Sequence, residues 1–130
     1  MTNPGPHYLL DVNVLLAAIW VNHPLHGRAF AWLSGKRVML CPLSELGFLR
    51  ISTNQKVFNV AMERARQLLD QFAKDRAVER IADDLAALDS HSKKSEQVTD
   101  HYLGDLALKH GARLATLDQN LRHSAVEAIS

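Results

Sequence analysis

One cysteine, Cys41, is all that the chain contains. It forms no disulfide within the chain, and a reducing, intracellular setting is the simpler reading. Long hydrophobic runs are missing too. The longest, Val12 to Val21, is interrupted by Asn13 and is too short to span a bilayer. The first seven residues are polar and contain Pro and Gly, with no basic segment leading into an apolar one, so no secretory signal is expected. Charge of one sign is not in excess: 15 Lys and Arg stand against 14 Asp and Glu, for a net +1 with 7 His. This balance does not announce a nucleic-acid binder, although a local patch counts for more than the sum. Internal repeats, low-complexity tracts and linkers are absent as well. The expectation is a cytoplasmic protein of one domain over residues 1–130, with a flexible segment at residues 1–7.

What is present is ordinary for a globular protein: 130 residues, 47% hydrophobic and 22% charged, enough for a real core. Tyr8 to Leu10 reads as a buried strand that ends on Asp11. A helix runs from Asn13 to about Val21. Pro24 opens another, with Leu25, Ala29, Trp32 and Leu33 at helical spacing. Val38 to Leu40 is a second strand, and Pro42 opens a helix with Leu43, Leu46 and Leu49 on one face that ends near Thr53 and Asn54. Asn59 is placed to cap a long amphipathic helix whose stripe is Ala61, Ala65, Leu68, Leu69 and Phe72. A short strand is expected over Val78 to Ile81, a helical turn over Leu85 to Leu88, and a polar loop over His91 to Glu96. Thr99 caps a helix that stops at Gly111, a good residue just past a helix end. Arg113 to Leu117 is a strand that leads to Asp118. The tail, 121–130, is weakly patterned, with a short strand near Val126. Strands alternating with helices imply an α/β sandwich around a mainly parallel sheet.

The acids follow from that order. Asp11 and Asp118 each end an apolar strand, and parallel strands deliver both to one edge of the sheet. Glu45 and Asp100 lie in the first turns of helices that start at the same edge. Each alone has a plain explanation, as a turn residue or as an acid favoured by a helix start. Four carboxylates sent to one edge repel one another unless they are protonated or bridged by a cation. Oxygen ligands without a needed Cys or His point to Mg²⁺ or Mn²⁺, which suits in-line attack of water on a phosphoryl group.

Leu9 to Leu16, Ser44-Glu45-Leu46 with Arg50 and Thr53-Asn54 behind it, Thr99 to Leu103, and Ala115 to Asp118 resemble the PIN-domain ribonucleases. In length and motif order the chain is most similar to the VapC toxins of bacterial toxin–antitoxin pairs. The resemblance covers about Tyr8 to Asn120. It implies a three-layer α/β/α fold with a mainly parallel central sheet. It also implies a Mg²⁺- or Mn²⁺-dependent endoribonuclease that leaves a 5′-phosphate and a 3′-hydroxyl. Its partners would be an RNA substrate, a second copy in a homodimer, and a cognate antitoxin whose C-terminal segment occupies the active-site groove. No membrane is implied. By position, Asp11, Glu45, Asp100 and Asp118 match the family's catalytic acids, with Asp11, Asp100 and Asp118 on the metal. Asn13 and Thr116 match its accessory polar positions. Two departures stand out: Asp105 replaces a usually small apolar residue, and the apolar strand that often closes the family's sheet is lacking at the C-terminus.

Arg50 and Lys56 are the candidate substrate-binding residues, and Arg122 is a further basic residue expected near the edge. His101 and Tyr102 are candidates for RNA contact or for packing. Trp20 and Trp32 fall on apolar stripes, which favours core or dimer interface over base stacking. His23 and His26 read as a cap and a surface residue. A haloacid-dehalogenase-like phosphatase is the alternative enzyme, but its chemistry needs an Asp two residues after Asp11, where this chain has Asn13. A non-catalytic PIN-like binding domain or a receiver-like signalling domain is the remaining alternative; the receiver is disfavoured because no Lys follows the Arg113 to Leu117 strand.

Overall fold

The computed structural model describes residues 6–89 and 92–129. Residues 1–5 of the expected N-terminal segment lie outside them, as do residue 90, residue 91 of the expected polar loop and residue 130 of the tail. His7, assigned to that segment from sequence, opens the first strand instead.

Among the described residues, β1 (His7–Leu10), β2 (Arg37–Leu40), β3 (Glu79–Arg80), β4 (Arg113–Thr116) and β5 (Val126–Ala128) form one all-parallel sheet in the order β3-β2-β1-β4-β5. The helices are α1 (Val12–Ile19), α2 (His26–Leu33), α3 (Pro42–Thr53), α4 (Met62–Asp75) and α5 (Val98–Lys109). Side chains alternate across the strands, as a two-residue period requires. Tyr8, Leu10, Val38, Leu40 and Ala115 face a core built with α1 to α4. Leu9, Met39, Cys41 and Leu114 face the other way, onto Tyr102, Leu103, Leu106 and Ala107 of α5. The result is the three-layer α/β/α sandwich expected from sequence.

Several details differ from the sequence-based expectation. On α3 the inward face is Ser44, Phe48 and Ser52, while Leu46 is 63% exposed. Two serines take interior positions because each finds a partner: Ser44 Oγ donates to Leu10 O at 2.8 Å, and Trp20 Nε1 donates to Ser52 Oγ at 2.9 Å. Asn59 does not cap α4. It adopts a left-handed backbone (φ 53°), which Asn tolerates better than most residues, and its N–H closes the preceding loop on Asn54 O. α4 then starts at Met62. Thr99 does not cap α5 either, because a 3₁₀ turn at Ser95–Gln97 runs straight into that helix and places Thr99 inside it. The C-terminal strand does form: β5 pairs with β4, and the buried Ile129 donates its N–H to Thr116 O.

Both tryptophans serve packing. Trp20 stacks between Phe48 and Phe58 at ring-centroid distances of 5.8 Å to each, and Trp32 meets Tyr8 edge-on at 4.7 Å. Tyr102 is buried, with its hydroxyl donating to Leu85 O. No described helix is long and apolar enough to cross a membrane.

Candidate active site

The carboxyl ends of β1 and β4 lie side by side, with Leu10 in register with Ala115. Asp11 follows β1 at once, and its N–H donates to Ala115 O at 3.2 Å. From the other side Ser44 holds Leu10 O. The main chain at Asp11 is thus tied to β4 and to the first turn of α3. Its side chain caps α1, accepting the Val14 N–H on Oδ1 at 2.8 Å. Such a cap contributes about 1 kcal/mol to a helix.

Capping does not account for the burial. Asp11 is 2% exposed, and desolvation pushes its carboxyl up to about 7, against the lowering effect of hydrogen bonds from Thr116 and Val14. The negative charges of Asp100 and Asp118 push the same way. Asp100, half-buried in the first turn of α5, is raised by burial and by Asp118 and eased by His101. Three of the four expected acids therefore form one electrostatic cluster. The buried Thr116 serves two of them: its hydroxyl eases the charge on Asp11 and accepts the Asp118 N–H at 3.0 Å. Asp118 also closes a turn by accepting the Asn120 N–H, so its turn role and its place in the cluster coexist.

Asn13, Asp100 and Asp118 line one open groove of about 440 Å³ with His23, Glu96 and Gln97. Asn13 is exposed there. Glu96 is an acid that the sequence places only in a polar loop; the 3₁₀ turn at Ser95–Gln97 brings it to the rim, and no sequence pattern announces so short a turn. His23 fixes the start of α2 by accepting the Leu25 N–H on Nδ1.

Glu45 is held by an arginine: its Oε1 accepts from Arg80 Nε and Nη2, both at 3.0 Å. Arg50 is exposed in the last turn of α3, and Lys56 follows that helix, at the end away from Glu45. Asp105 meets His123, Nε2 to Oδ1 at 2.6 Å, and so anchors the β4–β5 connection to α5. A larger groove of about 680 Å³ lies elsewhere, between α1, α2 and α4, with Arg76 over the rings of Phe30 and Phe72.

The family model described as the PIN domain matches residues 8–127. The chain belongs to the PIN-domain family. Its relatives within that family include ribonuclease VapC38 of Mycobacterium tuberculosis, 36% identical over 118 residues that cover 85% of this chain and 84% of that protein. Ribonuclease VapC44 of the same organism is 35% identical over 130 residues, covering 91% and 90%. Two solved PIN-like structures share the fold. One is VapBC2 of Rickettsia felis bound to a promoter DNA fragment, with a TM-score of 0.62 at 15% identity over 94% of this chain and 98% of that one. The other is FitAB bound to a DNA fragment, at 0.61 and 21% identity over 93% and 94%.

The donor set of this PIN domain suits a hard divalent cation in its chemistry. It is all oxygen and partly desolvated, and the charge of Asp118 raises the proton affinity of both Asp11 and Asp100, which a cation would relieve. Among the described residues, no three His, Cys, Asp or Glu side chains are gathered to hold an ion, so Asp11, Asp100 and Asp118 would have to draw together around one. Thr116→Val should remove the hydroxyl that favours charged Asp11 and, if these acids bind Mg²⁺, weaken that binding about tenfold, the scale of losing a ligand-orienting partner. Calorimetric titration reads this directly; an unchanged affinity would show that Thr116 only fills space.

Proposed function

We propose that this PIN domain is a Mg²⁺- or Mn²⁺-dependent endoribonuclease, the toxin of a toxin–antitoxin pair, acting on RNA in the cytoplasm. The observation that carries the reading is the buried Asp11 carboxyl, lifted to about 7 among the like charges of Asp100 and Asp118 at the carboxyl edge of the sheet. Membership of a family with several VapC ribonucleases among its relatives supports it.

In this reading Asp11, Asp100 and Asp118 hold the ion. Bound there, it supplies polarisation of a phosphoryl oxygen and acidification of water for in-line attack. Thr116 and the Val14 N–H keep Asp11 turned into the site, and Ser44 keeps the backbone under it in place. The exposed Asn13 amide, at the groove lined by Asp100 and Asp118, orients the scissile phosphate or the attacking water. Glu45 enters the catalytic set when released from Arg80. Arg50 and Lys56, at the far end of α3, contact RNA beyond the cleaved bond. The proposed partners are an antitoxin that occupies the groove and a second copy of the chain.

Incubation of the purified protein with cellular RNA, read by primer extension, tests the activity. Discrete cuts with 5′-phosphate ends are expected with Mg²⁺ or Mn²⁺. Excess EDTA, or either Asp100→Asn or Asp118→Asn, should slow them at least about a hundredfold, the scale of losing one charge-stabilising group in a reaction centre. Equal cutting by those variants would overturn the reading. A stable fold that neither cuts RNA nor binds millimolar Mg²⁺ or Mn²⁺ would favour a non-catalytic binding domain.

A further inference from the structure

The pairing of Glu45 with Arg80 is unexplained by the site described above. Arg80 is the last residue of β3, in register with Leu40 at the end of β2, and the Ile81 N–H continues the ladder to Leu40 O. Parallel order therefore puts Arg80 at the carboxyl edge where Asp11 and Asp118 emerge. Two strand spacings separate β3 from β1, about 10 Å. Arg80 is thus a cation at the rim of the acidic edge, on the flank away from Asp118.

Its hold on Glu45 is asymmetric. Both guanidinium donors fall on Oε1. The Arg80 side chain is 50% exposed, whereas that of Glu45 is 18% exposed. One partner faces solvent at the edge of the sheet and the other is tucked against it. A pair whose guanidinium is half in solvent is weak enough to exchange partners, and a guanidinium binds a phosphate in the same forked way as a carboxylate.

We propose that Arg80 is a positioning residue that trades the Glu45 carboxylate for an RNA phosphate. In the free protein it holds the Glu45 carboxylate at the rim of the edge. When RNA lies along the carboxyl edge, a backbone phosphate takes the guanidinium, and the freed Glu45 carboxylate turns to the site. Substrate binding and completion of the acid set become one event. This inference rests on the ribonuclease reading and names the residue that couples that reading's substrate to its fourth acid.

The test measures binding, not cleavage. A short fluorescein-labelled single-stranded RNA is titrated by anisotropy, in Mg²⁺ and over a salt series, against an Asp11→Asn parent that leaves the RNA intact. Adding Arg80→Gln should weaken binding and lower the slope of log affinity against log salt by about 0.7, the loss of one phosphate contact on a single strand. Arg80→Lys should keep the slope. Adding Glu45→Gln to the parent should free Arg80 and tighten binding about two- to fivefold, the scale of an exposed ion pair. That gain should vanish when Arg80→Gln is also present. Binding by the parent with an unchanged slope for Arg80→Gln overturns the exchange while leaving the ribonuclease reading intact. Equal tightening by Glu45→Gln in the Arg80→Gln background overturns the exchange in the same way. No salt-dependent RNA binding by the parent overturns both.

Discussion

Asp11→Asn should make the metal-free protein more stable at pH 8 while ending RNA cleavage. Asp11 in the folded chain holds its proton up to about 7, against an ordinary value of 3.8. Between those values the native state binds more protons than the unfolded state, so stability falls as pH rises through the window. The group is buried, and the full penalty above pH 7 is about 4 kcal/mol at 1.36 kcal/mol per unit. Asparagine is as good an N-cap as aspartate, so the bond from the Val14 N–H survives. In EDTA at pH 8 the variant should melt roughly 10 °C above the parent, and the gap should close towards pH 4. Mg²⁺ should raise the melting temperature of the parent and leave that of the variant nearly unmoved. A variant that melts below the parent at pH 8 would show that the carboxylate is stabilised by its surroundings, contrary to the burial and like charge around it.

Gly47→Ala should destabilise the protein, and Val12→Ala should relieve it. Glycine in the middle of α3 is unfavourable for the helix, so alanine would ordinarily help by about 0.5–1 kcal/mol. Here a Cβ would stand 2.5 Å from Val12 Cγ2 and 3.2 Å from Cγ1. α1 and α3 pack against each other with no room at that point. Overpacking of this kind costs about 1–3 kcal/mol, so the net effect should be a clear loss in melting temperature. It should also disturb the site, because Val12 directly follows Asp11. The double variant Val12→Ala, Gly47→Ala has space for the new methyl group and should be more stable than Gly47→Ala alone. Thermal melts of the four proteins decide it: a single variant that matches the parent, or a double variant worse than either single, would refute the clash.

Much of the site was legible because strand ends are legible. The apolar runs before Asp11 and Asp118 are buried on both faces of a parallel sheet, and such strands read as continuous hydrophobic stretches. Their ends, and the acids there, follow. Pro42 and Gly111 marked the start of α3 and the end of α5 by backbone chemistry that context seldom overrides. What escaped was what tertiary contact decides. Leu46 looked inward by spacing and is exposed, because Phe48 and two bonded serines occupy the inner face. Glu45 pairs with Arg80, a contact that no pattern announces, because that partner sits on a two-residue strand with both side chains exposed. Asp105 carried no signal of His123, which lies 18 residues further on.

The unequal layers of the sandwich bear on how the site comes apart. Among the described residues, four helices cover one face of the sheet, and α5, with Leu43, Leu85 and Leu121 beside it, covers the other. Asp11 belongs to the thicker half, through α1, and Asp100 to the thinner one. Regions held by fewer buried contacts open locally at lower free energy than the whole molecule. A transient lifting of α5 would therefore carry Asp100 away from Asp11 and Asp118 while the rest of the fold stayed closed. If Asp11, Asp100 and Asp118 hold an ion as proposed, activity would depend on the docking of one helix, and the ion bridging both halves would act as a clasp between them as much as a reagent.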